Sequence, residues 1–424
     1  MVNNMFENLL YQNASLLLSD DIRRSNLPQS LLFAGPPSSG KLTAALETAR
    51  VLSCTGEKRG DWNCTCPDCQ RNKALIAHNI LIAGNSSRIL EIKAASNTFL
   101  TQYIQNTNHL FSSRYLYIRA VRKLTLRFAD ALWEGEDKQS KFAPLLQSID
   151  ENLELLNPNK VLPDSEEELK KILSSIEKDA EKLEDSYLYA SLPVSQVRKI
   201  SSWAHLTSSS RVKVVIIENA EKMQEASRNA LLKTLEEPPK DTVFILLTQN
   251  RSAILPTILS RVRTYTFTKR TEAQEKEVIN RVFHNVSQFS KNDSSIDGFL
   301  QGFLSADLDT VKKCAFDFFE NVANGHVPDI KKIVSYCSDF KPAAIFTVFL
   351  ENLIEAQKKL LKTPCGSECS FRIVSEIKKC RNNFSVYNQN AQGSLESLAR
   401  SLMQINHFND GAFRKVFEKS EEAE

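Results

Sequence analysis

Apolar residues follow two rhythms along this chain. In the first two-thirds, short unbroken apolar runs alternate with longer segments whose apolar positions recur every three or four residues. Ser30–Ala34 is one such run; it enters a Gly/Pro/Ser loop and then a segment, 42–53, that reads as a helix. Residues 78–83, 213–217 and 242–248 are further runs, and 263–267, where polar and apolar residues alternate, reads as one more strand. Unbroken apolar runs are the mark of strands covered on both faces. Alternating with helices, they predict an α/β fold: a parallel sheet with helices on both faces.

Residues from about 90 to 190 break that rhythm and read as helical. Tyr117, Val121, Leu124, Phe128 and Ala131 form one stripe at helical spacing. Asn157-Pro158-Asn159-Lys160 marks a turn, and Ser165 with Glu168 fits a capping box opening a charged helix. Leu169, Ile172, Ile176 and Leu183 repeat along that helix, with Asp179 interrupting. After about residue 269 the chain reads as all-helical. The division expected is a core at 1–270 with a helical insertion at about 95–190, a small helical lid at 271–327 and a C-terminal all-α domain at 328–424. Pro328 and Pro342 fall near the second boundary, and 418–424 reads as a frayed charged tail.

At 424 residues, 42% hydrophobic and 25% charged, the composition is that of a folded soluble protein with two to four domains. A net charge of +3 is too small to argue nucleic-acid binding from bulk electrostatics. No apolar run has the length of a membrane span, and no secretory signal is visible at the N-terminus. Nine cysteines, four of them in one cluster, fit a reduced, cytoplasmic setting.

Four motifs carry chemistry. Gly35-Pro36-Pro37-Ser38-Ser39-Gly40-Lys41 has phosphate-loop spacing between a strand and a helix. Leu42 stands where a Ser or Thr hydroxyl would meet Mg²⁺, and Thr43 lies one position late, rotated about 100° round the helix. The backbone N–H groups and Lys41 could still cradle phosphates, or the loop is a ligand-free turn; these residues alone leave ATP and Mg²⁺ binding open. The second motif is the run 213–217, ending in Glu218-Asn219. In a hydrolytic strand the first position is a carboxylate that serves the metal and the second a carboxylate that polarises water. An amide cannot accept that proton. Thr248-Gln249-Asn250 ends a strand where a polar group can sense a terminal phosphate, or is a plain strand-end turn; the residues alone leave both open.

Third, Cys54, Cys64, Cys66 and Cys69 make Cys-x9-Cys-x-Cys-x2-Cys. Four thiolates close a tetrahedral Zn²⁺ shell, so the expected site is structural. Cys365, Cys369 and Cys380 read as ordinary cysteines. Fourth, Ser260-Arg261 follows a short helical stretch, from which the Arg261 fork could reach a neighbouring subunit's phosphates. Arg114, Arg119, Arg122, Lys123 and Arg127 on the insertion read as a solvated helix face, with a nucleic-acid surface as the alternative.

These motifs in this order, with Asn229-Ala230-Leu231-Leu232-Lys233-Thr234-Leu235-Glu236-Glu237-Pro238-Pro239 between the acidic strand and Ser260-Arg261, resemble the bacterial DNA polymerase III clamp-loader family of the AAA+ class. The likeness covers about 5–90 and 190–270. It implies a pentameric loader that opens a ring-shaped sliding clamp and closes it on primed DNA. Gamma/tau motor and delta subunits would be the partners, and the C-terminal domain would join a helical collar. Leu42 and Asn219 depart from the motor pattern and favour a non-hydrolysing stator, with Arg261 acting in trans. Gly35, Gly40, Lys41, Thr43, Glu218 and Thr248 would then be a degenerate nucleotide site. An ATP-hydrolysing motor, with Glu221 as base, is the runner-up. A zinc-dependent nucleic-acid binder is the third reading. Val262 stands where the family usually has Cys, and the cysteine cluster is one residue short between its second and third members.

Overall fold

The computed structural model describes residues 5–206, 212–284, 295–362, 366–385, 389–409 and 413–414. Five strands form a wholly parallel sheet: β1 (Ser30–Ala34), β2 (Ile80–Ala83), β3 (Lys213–Ile217), β4 (Thr242–Thr248) and β5 (Arg263–Thr266), in spatial order β2-β3-β4-β1-β5. Each strand falls within one of the strand segments read from the sequence; β1 to β4 are apolar runs, while β5 alternates. Residues of β1 to β4 are all buried. Successive side chains alternate between two cores. Leu31, Phe33, Val214, Ile216, Ile245 and Leu247 face the first, with Leu42, Ala45 and Ala49 of the Lys41–Ser53 helix. Leu32, Ala34, Leu81, Val215, Ile217 and Leu246 face the second.

The second core runs on into the inserted helices. Ile89–Ile104, Leu110–Thr125, Gln139–Leu155 and Glu166–Tyr187 pack around Phe99, Tyr117, Trp133 and Phe142. This cover explains why β2, a sheet edge, is buried along its length. Ser165 caps the last of these helices by accepting the Glu168 N–H, and Leu169, Ile172, Ile176 and Leu183 are its buried face. Asp179, off that stripe, accepts a hydrogen bond from Ser148 at 2.7 Å. The stripe from Tyr117 to Ala131 is not one helix. The chain tightens at Leu126–Phe128 and leaves helical geometry at Ala129, which lets Trp133 Nε1 donate to Arg127 O at 2.7 Å.

The chain divides into two compact units, Met1–Leu300 and Gln301–Glu424. The second is helical throughout, with Phe318, Phe319, Phe340, Phe346 and Phe349 at its centre. Pro328 and Pro342 both lie inside it. Cys369 and Cys380 are buried there and not joined in a disulfide, while Cys365 and the 418–424 tail lie outside the described residues.

Candidate functional site

The loop 35–40 leaves the C-terminal end of β1, beside the β4 and β5 ends, where open parallel sheets bind ligands. Gly35 passes flush against the end of β5: a side chain there would meet Phe267 O at 2.5 Å. Gly40, at φ +92°, turns the loop into the Lys41–Ser53 helix. The loop has the shape of an anion-binding nest, but its own groups fill it. Lys41 Nζ donates to Gly35 O at 2.6 Å, to Pro36 O, and to Ser39 Oγ at 3.2 Å. Ser38 Oγ donates to Asp297 Oδ1 at 2.5 Å, and Arg270 Nη1 donates to Ser38 O at 2.7 Å. Burial pushes Lys41 down to about 8, against the pull of Glu221 and Asp297. Leu42 is only 9% exposed and packs into the first core, so its position offers a metal nothing. Thr43 is half-buried on the same first turn.

Glu218 follows β3 and is 5% exposed. Gly84 (φ +105°) lets the β2 end close on it, for a side chain there would meet Glu218 O at 2.5 Å. The Glu218 carboxylate is fully engaged. Arg127 donates to Oε2 through Nε at 3.0 Å and again through Nη2, and Arg88 Nη2 donates to Oε1. Burial alone would push the carboxyl up; Arg127 and Arg88 outweigh it and hold it below its ordinary value. Asn219 takes a left-handed backbone (φ +50°) and spends its amide on Asn85 O. Thr248 is also internal: its hydroxyl bridges Asn250 O and Asn250 N at 3.1 Å each, and its carbonyl accepts Gly35 N–H at 3.2 Å. Mg²⁺–nucleotide does not fit this set. The carboxylate is neutralised by two guanidinium groups, the hydroxyl is replaced by buried Leu42, and the proton acceptor is an amide.

Arg261 sits at the other edge of the sheet. The parallel register sets Arg263 against Leu31 and Thr266 against Ala34, so Arg261 precedes the start of β5 while the phosphate loop follows the end of β1. About 10 Å of strand separates those levels. The guanidinium is 30% exposed and rests on Glu236, whose Oε1 accepts from Nε at 2.7 Å and from Nη2. Nη1 donates to Thr257 O at 2.6 Å and Ser260 Oγ at 3.1 Å. Glu236 ends the Glu225–Glu236 helix, so the Leu231 to Pro239 stretch and Arg261 share one surface.

The sulfur atoms of Cys54, Cys64, Cys66 and Cys69 all lie within 4.8 Å of one another, and all four are free. Cys54 and Cys64 are 3.7 Å apart. A tetrahedron with Zn–S of about 2.3 Å has an edge near 3.8 Å, whereas a disulfide needs about 2.05 Å. The spacing and donor set therefore fit zinc. The N–H of Cys69 points at Cys66 Sγ (3.4 Å), and Arg50 Nη1 at Cys69 Sγ (3.3 Å), so positive dipoles already face sulfur. Arg50 also pairs with Glu47 and donates to Met5 O, Gly60 O and Asp61 O, tying the cluster to the phosphate-loop helix.

The basic residues of the insertion are not a solvated face; each is engaged by a partner within the protein. Arg114 is buried and donates to Leu156 O at 2.8 Å and Lys160 O at 2.9 Å. Arg119 and Arg122 donate to Lys73 O and Ala74 O, the last carbonyls of the Pro67–Ala74 helix beside the cysteines. Lys123 pairs with Glu91, and Arg127 with Glu218. Sequence reasoning missed Arg88 and Arg270 altogether. Neither stands in a motif, and the partner of each is brought near by the sheet.

A family model described as DNA polymerase III, delta subunit, matches residues 11–134 and 134–271, more than half of the chain. The DNA polymerase III subunit delta' of Haemophilus influenzae is 42% identical over 73 residues, 17% of this chain and 22% of that one. That of Pseudomonas aeruginosa is 55% identical over 49 residues, 12% and 15% respectively. The gamma/tau subunit of Mycobacterium tuberculosis is 45% identical over 58 residues, 14% and 10%. The alignments thus span less than a quarter of each of these relatives. A 2.00 Å crystal structure of a gamma subunit-related protein from Thermotoga maritima aligns over 55% of this chain and 90% of that one, at 16% identity and a TM-score of 0.27, too loose a superposition to argue from. No helix among the described residues is long and apolar enough to cross a membrane. With the parallel sheet, phosphate-type loop and four-cysteine cluster in place, the chain belongs to the DNA polymerase III delta subunit family of clamp-loader subunits.

Proposed function

We propose that this chain is a delta-prime-type stator of the DNA polymerase III clamp loader. It does not hydrolyse ATP itself. It works in the cytoplasm beside gamma/tau motor and delta subunits, and the assembled complex places the sliding clamp on primed DNA. Zn²⁺ held by Cys54, Cys64, Cys66 and Cys69 is structural. The single observation that carries this reading is the division of labour across the sheet. At the C-terminal edge, Glu218 is sealed by Arg127 and Arg88. At the opposite edge, Arg261 lies on the surface, pre-set by Glu236, Thr257 and Ser260. An arginine so placed cannot serve its own loop and is free to serve an adjoining subunit. There its charge offsets the transition state of phosphoryl transfer, an effect of about 10³-fold or more. The test is phosphate release by the isolated chain with Mg²⁺–ATP. No turnover is expected, and turnover abolished by Lys41→Ala would replace this reading.

One observation favours an ATP-hydrolysing gamma/tau-type motor instead. Glu221 Oε2 is buried with no hydrogen-bond partner among the described residues, and its charge bears on Lys41. If Glu221 were a base, the same assay would show turnover that Glu221→Gln removes.

A further inference from the structure

The inserted helices take no part in the function proposed above, yet they are built into its disarmed site. Arg127 lies in the middle of the tight turn Leu126–Phe128 that follows the Leu110–Thr125 helix, and Arg88 immediately precedes the Ile89–Ile104 helix. They grip opposite oxygens of Glu218, and Arg127 is 1% exposed. Around them lies a second ring. Glu91 accepts from Lys123 and, at 3.3 Å, from Arg88. Glu184, on the Glu166–Tyr187 helix, accepts the Arg88 backbone N–H at 2.7 Å and the Ser87 hydroxyl. Three cations, Arg88, Arg127 and Lys123, thus meet three carboxylates, Glu218, Glu91 and Glu184. The cluster has no negative charge to spare for a dication.

We propose that Arg127 of the insertion and Arg88, just before it, form a resident cap on the acidic strand: their guanidinium groups stand in for a divalent cation and keep one out. The chemistry suits the task. A guanidinium stays charged at any physiological pH and matches a carboxylate with its planar fork. Mg²⁺ keeps several of its waters and needs a carboxylate that faces solvent; Glu218 does not. The inference rests on the non-hydrolysing reading and deepens it: metal is excluded by two arginines, one of them supplied by the insertion, besides the loss of a proton acceptor at Asn219.

Mn²⁺ titrated into the full-length chain and followed by electron paramagnetic resonance tests this. The wild type should show no Mn²⁺ site that Glu218→Gln removes. The Arg88→Gln/Arg127→Gln variant should gain about one site per chain, lost again when Glu218→Gln is added. A Glu218-dependent site in the wild type, or a folded double variant that gains none, overturns the proposal. Should the double variant not fold, Glu218→Gln alone decides. It takes the Glu218 carboxylate from buried Arg127 and leaves Arg88 with Glu91, so the melting temperature should fall by about 6 °C or more; an unchanged or raised value overturns the cap. Absence of ATP turnover would stand in either case, because Asn219 still cannot take a proton, so the cap can fail while the stator reading survives.

Discussion

Asn219 and Leu42 were legible as single departures from motifs whose chemistry is known position by position. The fate of Glu218 was not, because its partner Arg127 is 91 residues away and no local pattern joins them. The same holds for Arg114, Arg119 and Arg122, whose partners are backbone carbonyls that only the tertiary fold supplies. Two predictions belong to this scale. Asn219→Asp restores an acid but leaves Glu218 sealed, so phosphate release by the isolated chain should stay absent; measurable turnover would show that the missing acceptor was the sole defect. Glu91 is the second. Burial pushes its carboxyl up, but Lys123 and Arg88 pull it down to about 2. A carboxyl depressed on folding adds stability above its unfolded value, near 4.3, and loses it as pH falls towards the folded one. Melting temperature should therefore drop between about pH 4.3 and 2, and Glu91→Gln should flatten that limb while lowering stability at neutral pH.

At the scale of elements, the strands and most of their limits followed from short segments read in the sequence, while their spatial order came only from the fold. β2 is shorter than its run: Asn79 turns its side chain to Ser53 Oγ at 2.7 Å and Val212 O at 2.8 Å, fixing the strand entry instead of extending the strand. The cysteine cluster was readable from spacing alone. What spacing hid is its anchorage: Arg50 from one helix, and Arg119 and Arg122 from the insertion, hold its two sides. The purified chain should contain about one zinc per molecule by atomic emission, and Cys69→Ser should abolish it with a lowered melting temperature. Full zinc content in that variant would contradict a four-thiolate site. The insertion should be integral to the first unit. Phe142 is 1% exposed and meets Phe128, Trp133 and Tyr187 within 5.7 Å. Phe142→Ala should cost about 3–5 kcal/mol in urea unfolding.

At the scale of the molecule, the sheet separates two chemistries that linear sequence sets in adjacent blocks. The phosphate-type loop follows β1 and the Leu231 to Pro239 stretch precedes β4, yet β1 and β4 are direct neighbours in the sheet. Their opposite ends carry the self-filled phosphate-type loop and the partly exposed Arg261. The division into units at 300 and 301 left no mark in composition, since helices lie on both sides of it. The account's central claim is that this scaffold has given up its own phosphate chemistry and lends Arg261 to a neighbour. ATP hydrolysis by the loader reconstituted with its motor subunits, carrying either wild-type chain or Arg261→Ala, tests it most directly. The account predicts a fall of about 10³-fold at the adjoining site with assembly intact; undiminished hydrolysis by the intact variant complex would contradict it.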